Sequence, residues 1–236
     1  MPRPAALPPV RLAALDIAGT TVDEGGVVYA VMRDAVERDT GRSVPDAVLS
    51  RWSGTGKREG IEGILTALGE DTGRTDRIFD AFSADLDAAY AADPPSLLPG
   101  VREAVDAMRS AGAAVVLQTG YTREVAQDLL EVVGWRLGED LDGLVTVDDV
   151  RRSRPSPYLV FRAMELADVQ DVREVLVAGD TANDLLAGTR AGAGRVVGVL
   201  TGAHTAAELG AVRHTHLLDG VADLPAALGP DLSGLE

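Results

Sequence analysis

The stretch Leu12-Ala13-Ala14-Leu15-Asp16-Ile17-Ala18-Gly19-Thr20-Thr21-Val22-Asp23 constrains the fold more than any other part of the chain. Its apolar run reads as a buried strand that ends in a carboxylate, and a Gly-Thr-Thr turn follows at once. Open parallel α/β sheets bind ligands outside the carboxyl ends of their strands. Asp16 therefore stands where it can act on a ligand, and Gly19 lets backbone N–H groups approach an anion. Taken alone, the stretch serves equally well if Asp16 merely caps the next turn.

The remainder of the chain repeats the pattern. Helices are expected over 27–38, 45–52, 57–68 and 74–90, with Ile61, Ile64, Leu65 and Leu68 as one stripe at three- and four-residue spacing. Asp93-Pro94-Pro95-Ser96 reads as a linker that closes this all-helical block. Strands are then expected over 113–118, 144–147, 174–178, 195–200 and 215–218. Helices over 99–110, 121–133, 155–166, 182–193, 203–209 and 221–228 alternate with them. This alternation predicts an α/β protein with a Rossmann-like parallel sheet and right-handed crossovers. The implied division is a loose tail over 1–9, a core of 10–23 and 95–236, and an all-α cap domain over 24–94 above the sheet's carboxyl edge.

Composition narrows the partners. A chain of 236 residues with 46% hydrophobic content can bury a sizeable core and a smaller domain besides. It has no run of about 18 apolar residues that would span a membrane. Its formal net charge of −15 argues against nucleic acid and anionic membranes as partners. An anion pocket must then be built locally, from backbone amides, a metal or a few placed cations. The lack of cysteine removes disulfide and thiol chemistry and suits a cytoplasmic enzyme, and the Pro-rich start is too short for a signal peptide. A homodimer is one expectation, but the sequence leaves the oligomeric state open. Of the 22 lysines and arginines only Lys57 is a lysine. Arginine stays protonated and cannot act as a nucleophile, whereas lysine can.

Three strand exits carry polar groups: Asp16, Thr119 and Asp180. Thr181 and Asp184 fit a capping-box pattern, which leaves Asp180 unaccounted for. Carboxylates converging on one edge repel each other unless a cation lies between them, and oxygen-only ligands suit Mg²⁺. Arg154 either faces this pocket or belongs to a surface run, Arg151-Arg152-Ser153-Arg154.

Asp16-Ile17-Ala18-Gly19-Thr20, Thr119, Arg154 and Gly179-Asp180-Thr181-Ala182-Asn183-Asp184 resemble, in order and spacing, the four motifs of the haloacid dehalogenase superfamily. Within it the chain is most similar to the phosphonatases, the phosphonoacetaldehyde hydrolases. Ala18 stands where ordinary members have a second Asp, Arg154 where they have lysine, and Gln118 to Glu124 and Arg154 to Tyr158 also resemble phosphonatase. The resemblance implies an aspartyl-phosphate formed on Asp16. It implies Mg²⁺ held by Asp16, the Ala18 carbonyl and Asp180, with Asp184 behind them. It implies phosphoryl oxygens bound by Gly19, Thr119, Gly120, Tyr121 and Arg154. Ala18 cannot protonate a leaving alkoxide. In the family a cap lysine replaces that acid by forming an imine with the substrate aldehyde, which accepts the electrons of the breaking C–P bond.

Lys57 falls at the position of that lysine, in Gly54-Thr55-Gly56-Lys57, and shares a helical face with Ile61 and Leu65. An unperturbed lysine has roughly 0.04% free amine at pH 7, so the role requires a depressed pKa, which desolvation and the helix N-terminus favour. The phosphonatase histidine three residues later is absent: that position is Gly60, and Glu59, Tyr121 or water are the candidates to replace it. The expected substrate is thus a small phosphonate, phosphonoacetaldehyde or another 2-oxoalkyl phosphonate. The rivals are a phosphomonoesterase acting on a small ester such as a glycolate-type phosphate, and a non-catalytic phosphate-binding protein of the same fold. His214 and His216 are expected on one side of a surface strand and Trp52 and Trp135 in packing roles, while His204, which follows a strand-exit Gly, is not assigned to the pocket.

Overall fold

The computed structural model describes residues 7–232, so the first six residues of the expected tail lie outside it. In chain order its strands and helices are β1 (Leu12–Leu15), β2 (Val22–Asp23), α1 (Val27–Thr40), α2 (Asp46–Arg51), α3 (Lys57–Leu68), α4 (Thr75–Ala92) and β3 (Ser96–Leu97). Then come α5 (Val101–Ser110), β4 (Ala114–Gln118), α6 (Arg123–Val132), β5 (Gly143–Val145), α7 (Tyr158–Leu166) and β6 (Val175–Gly179). The chain ends with α8 (Ala182–Ala191), β7 (Arg195–Val199), α9 (Ala206–Gly210), β8 (His216–Leu218) and α10 (Leu224–Leu232).

Six strands form one parallel sheet in the order β5-β4-β1-β6-β7-β8. The all-buried run of β1 explains its central place, because a strand covered on both faces has no polar side to show. Alternation sends Ala13 and Leu15 into one core cluster, with Val101, Val105 and Met108 of α5 and Leu224 of α10. Leu12 and Ala14 enter the opposite cluster, with Leu159, Val160 and Ala163 of α7. The chain runs outward from β1 through β4 to β5, then crosses back to the other side of β1 and continues through β6, β7 and β8. The strand order therefore reverses at β1, and ligand crevices form at the carboxyl ends of strands beside such a switch point. Leu15 pairs with Leu117 on one side and Ala178 on the other, which brings Asp16, Thr119 and Asp180 to one level.

Between β2 and β3 lies the all-helical segment. Val28, Met32, Ala35 and Val36 of α1, Ile61, Ile64 and Leu65 of α3, and Ile78, Phe82 and Leu86 of α4 are buried and belong to the first of these clusters. Truncating one of these large side chains to Ala would cost about 2–5 kcal/mol, because the packed helices collapse only partly around the void. The Asp93–Ser96 linker differs from expectation at its end: Ser96 and Leu97 pair antiparallel with Asp23 and Val22. Leaving and returning chain thus run side by side, and Leu98 N–H donates to Thr21 O at 3.1 Å. Two residues per strand are too few to give a period-2 signal. Helix starts also shift inward at α6 and α7, and the strand expected from 215 begins at His216, so His214 precedes it.

Candidate active site

Each polar strand exit is fixed by local bonding. Asp16 is 5% exposed, and its backbone N–H donates to Ala178 O at 3.0 Å, continuing the ladder one residue past β1. Gly19 then adopts φ +72°, a left-handed turn in which any Cβ would press on the Asp180 carboxylate. Asp180 Oδ1 accepts from the Thr20 hydroxyl at 3.2 Å, and its Oδ2 accepts from Ala203 N–H at 2.6 Å. The expected capping box is present at α8: Thr181 N–H donates to Asp184 Oδ2 at 3.1 Å, and Asp184 N–H donates to Thr181 Oγ1.

Arg154 belongs to the pocket. It is 1% exposed, whereas Arg151 and Arg152 are exposed. Its guanidinium bonds Asp16 at 2.8 Å and forms an ion pair with Asp184. Among the described residues one group of carboxylates could hold a metal: Asp16, Asp180 and Asp184, with one oxygen of each within 4.8 Å of the others. At an effective dielectric of ~20 each such pair of charges repels by about 3 kcal/mol or more. Asp16 and Asp184 share the Arg154 cation. Asp180 has no such partner, and burial together with the nearby Asp16 charge pushes its carboxyl up to about 7. With all three ionised, as a bound cation would favour, the carboxylates against one guanidinium leave two negative charges, the charge of a divalent cation. Ala18 and Gly19 line a cavity of about 390 Å³ together with Glu24, Tyr29, Asp180 and Gly202.

Thr119 and Gly120 form the other wall. Thr119 is 2% exposed, and its Oγ1 accepts from Tyr121 N–H at 3.2 Å. Gly120 leaves no room for a Cβ because the Thr55 backbone passes against it. The Gly120 carbonyl accepts from Lys57 N–H at 3.3 Å, so the start of α3 is tied to the strand-exit loop.

Lys57 is 6% exposed. Its Nζ lies 5.1 Å from the ring centre of Tyr29 and 4.7 Å from that of Tyr121. Burial lowers its pKa to about 8, with Arg154 in the same direction, although Asp16, Glu24 and Asp180 oppose the shift. At pH 7 the free-amine fraction then rises to roughly a tenth, against roughly 0.04% for an exposed lysine. The aromatic faces tolerate the cation while offering no carboxylate contact that would lock it. The side chain does not snorkel to solvent.

The candidates for the missing histidine fare differently. Gly60 packs against Thr55, Met32 and Trp52, so it has little space for a side chain. Glu59 Oε1 accepts from Ser153 N–H at 3.1 Å and bridges the helical segment to the Arg154 loop. Tyr121 turns its hydroxyl to Tyr90 at 2.8 Å, so its ring rather than its oxygen meets the amine. His204 Nδ1 accepts from Ala182 N–H at 3.0 Å, with Nε2 3.3 Å from Ser50 Oγ. His214 and His216 bond locally, to Val212 O and Thr215 Oγ1. Trp52 packs its ring on Gly63, and Trp135 is buried in the core.

Sequence patterning does not single out Tyr29, Tyr90, Glu24 or Asn183. Asn183 Nδ2 donates to Arg51 O and Ser53 O at 3.1 and 2.7 Å, a second tie between the sheet edge and the helices above it. Rarity is the one available signal: Tyr29, Tyr90 and Tyr121 are among only 4 tyrosines in the chain.

A family model described as haloacid dehalogenase-like hydrolase matches residues 10–192. The phosphonoacetaldehyde hydrolase of Bacillus cytotoxicus is 30% identical over 205 residues, 82% of this chain and 76% of that one. The crystal structure of a phosphonoacetaldehyde hydrolase-like protein from Oleispira antarctica matches with a TM-score of 0.82 at 23% identity, over 100% of this chain and 99% of that chain. A hydrolase from Pseudomonas syringae matches with a TM-score of 0.82 at 20% identity, over 93% and 98% of the two chains. At these identities the two structures speak for the fold alone.

Proposed function

The chain belongs to the haloacid dehalogenase-like hydrolases, and from that membership we propose that it cleaves the carbon–phosphorus bond of phosphonoacetaldehyde or a related 2-oxoalkyl phosphonate. The observation that carries this reading is the solitary lysine amine, buried between two tyrosine rings beside Asp16. The similarity to phosphonoacetaldehyde hydrolases supports it independently.

The Lys57 amine adds to the substrate carbonyl, and loss of water gives an iminium. Asp16 attacks phosphorus, the C–P bond breaks, and its electron pair moves into the iminium to give an enamine. No acid at position 18 is needed, because the electrons go to nitrogen rather than to an alkoxide. Protonation and hydrolysis of the enamine release acetaldehyde and free Lys57, while water cleaves the aspartyl-phosphate to phosphate. Gly19, Thr119, Gly120 and Arg154 orient the phosphoryl oxygens. Tyr121 is a wall of the amine pocket in this scheme rather than a phosphate ligand.

Mg²⁺ fits the donor set: three buried carboxylates with a two-charge deficit, one of them unpaired. Asp16, the Ala18 carbonyl and Asp180 would hold it, with Asp184 orienting Arg154, and its charge would polarise the phosphoryl group. Residues 24–94 act as a cap whose closure excludes bulk water and delivers Lys57. The cysteine-free composition supports a cytoplasmic setting.

Borohydride reduction in the presence of phosphonoacetaldehyde, followed by mass mapping, tests the reading. It expects an adduct on Lys57 and release of acetaldehyde with phosphate. Full C–P cleavage by Lys57→Arg would reject it. A phosphomonoesterase would instead turn over simple phosphate esters after Lys57→Ala, and a binding protein would release no phosphate even with Mg²⁺.

A further inference from the structure

Beside the amine lies a second cavity, of about 300 Å³, between α3, α4 and the loops after β4 and β5. Lys57, Gly120 and Tyr121 form its inner end. Phe79, Phe82, Leu86, Val125, Val147 and Val150 supply its apolar wall. Phe79 and Phe82 are stacked at a tilt, with ring centres 6.1 Å apart. Arg58, which covers the Phe79 ring and pairs with Asp76, stands with exposed Arg151 at the rim.

A two-carbon aldehyde leaves such a cavity without use. The carbon joined to Nζ in the imine carries two further substituents. One is the CH₂ bearing phosphorus, which must reach Asp16. The other is hydrogen in an aldehyde and a side group in a ketone. The cavity on the Tyr29 side is bordered by Asp23, Glu24 and Asp180, an acidic lining that does not suit an apolar group. The cavity on the Tyr121 side has the more apolar wall, although Glu59 and Asp148 also line it, opposite in charge to Arg58 and Arg151, and it shares Gly120 with the phosphoryl-binding loop. A dry apolar cavity of about 150 Å³ holds a benzene ring, so this space accepts a six-membered ring with room to spare.

We propose that this cavity receives an apolar side group on the substrate's carbonyl carbon, so that the preferred substrate is a ketone, R–CO–CH₂–phosphonate with R an aryl or branched alkyl group. The proposal rests on the imine reading above and deepens it. The reaction balances as before: the C–P electron pair enters the iminium, phosphorus passes to Asp16 and then to water, and the enamine takes up a proton. Hydrolysis then releases a methyl ketone, R–CO–CH₃, in place of acetaldehyde.

The test compares 2-oxo-2-phenylethylphosphonate with phosphonoacetaldehyde on the full chain with Mg²⁺, following phosphate and, by NMR, acetophenone. The expected result is a kcat/KM at least tenfold higher for the phenyl ketone. Val125→Phe, which narrows the cavity, should lower the ratio of the two kcat/KM values at least tenfold. Val150→Phe narrows it from another wall and serves if the first variant does not fold. A ratio at or below one for the wild type, or one that neither folded variant changes, overturns the proposal. Borohydride trapping separates this failure from that of the underlying reading. An aldehyde adduct on Lys57 without a preference for the ketone sinks the side-group inference alone, whereas no Lys57 adduct with either compound sinks both.

Discussion

The carboxyl edge of the sheet and the helices above it are held in place by different means. At the edge, Asp16 and Asp180 follow fully buried parallel strands and Asp184 opens the helix after the second of them, and each is fixed by bonds to neighbours in the same layer. The helical segment shares the first apolar cluster with one face of the sheet, and it meets the polar strand exits through a set of hydrogen bonds. These include Lys57 N–H to Gly120, Asn183 to Arg51 and Ser53, Ser153 to Glu59, Tyr90 to Tyr121, and Ser50 to His204. Each such bond contributes only about 0.5–1.5 kcal/mol net. In the proposed reaction the phosphorus chemistry stands on the sheet edge and the carbonyl chemistry on the helical segment.

Removing the group that joins the two layers should have the largest effect. Lys57→Met should abolish C–P cleavage, by roughly 10³-fold or more, since the chain has no other lysine. The same change should stabilise the protein. The folded-state pKa of Lys57 is about 8 against 10.5 for a free lysine, so the wild type bears a full penalty below pH 8 that disappears as pH rises toward 10.5. Thermal melts at pH 7 should show Lys57→Met more stable by on the order of 2 kcal/mol, with the gap closing by about pH 10. A variant that melts lower at pH 7 would show that the amine is not held against its preference.

Asp180→Asn probes the sheet edge in the same way. Its carboxyl is raised to about 7, so the folded state binds the proton more tightly than the unfolded chain. Stability is therefore lost as pH rises from about 4 to 7, and the penalty is fully present above 7. In metal-free buffer at pH 8 the variant should melt a few degrees higher than the wild type, and the two should converge near pH 4. Added Mg²⁺ should raise the wild-type melting temperature and leave the variant's unchanged.

These two layers were not equally legible in the sequence. The edge was, because an apolar run ending in a carboxylate is a local signal, and three such exits in an alternating chain allow few topologies. Arg154 was not separable from Arg151 and Arg152 by composition, since burial of one arginine in a run is decided by the loop that carries it. On the helical side, Lys57 stood out by being unique, and its helix was bounded as expected at both ends. Of the partners that surround it, Tyr121 was named through the family resemblance, whereas Tyr29 and Tyr90 were hidden. Tyr29, Tyr90 and Tyr121 are distant in sequence and meet only through tertiary packing, and the paired strands Val22–Asp23 and Ser96–Leu97 are too short for any periodicity.

A smaller effect is expected at the ties. Asn183→Ala removes both bonds to the Arg51 and Ser53 carbonyls while leaving the Thr181–Asp184 capping box in place. Two lost bonds at about 1 kcal/mol each correspond to roughly a thirtyfold shift toward the open form. Amides of residues 50–60 should exchange faster with solvent, and kcat/KM should fall by about tenfold with little change in melting temperature. Exchange that speeds up equally in β1 and β6 would mean that the two layers open together.

The smallest expected effect decides what Tyr121 contributes. If its hydroxyl supplied the proton transfers of imine formation in place of the side chain missing at Gly60, Tyr121→Phe would cost about 10²-fold or more. In the structure that hydroxyl is 2.8 Å from the Tyr90 hydroxyl, and burial raises the pKa of both phenols, which makes them poor proton donors near neutrality. The ring, which Phe would retain, is the part that faces the amine. Tyr121→Phe and Tyr90→Phe should therefore each slow borohydride trapping of Lys57 by no more than about threefold. The proton transfers are then left to Glu59 or to water entering beside Lys57. A large loss in Tyr121→Phe with little in Tyr90→Phe would reverse this, because the two variants break the same bond and differ only in which oxygen they remove.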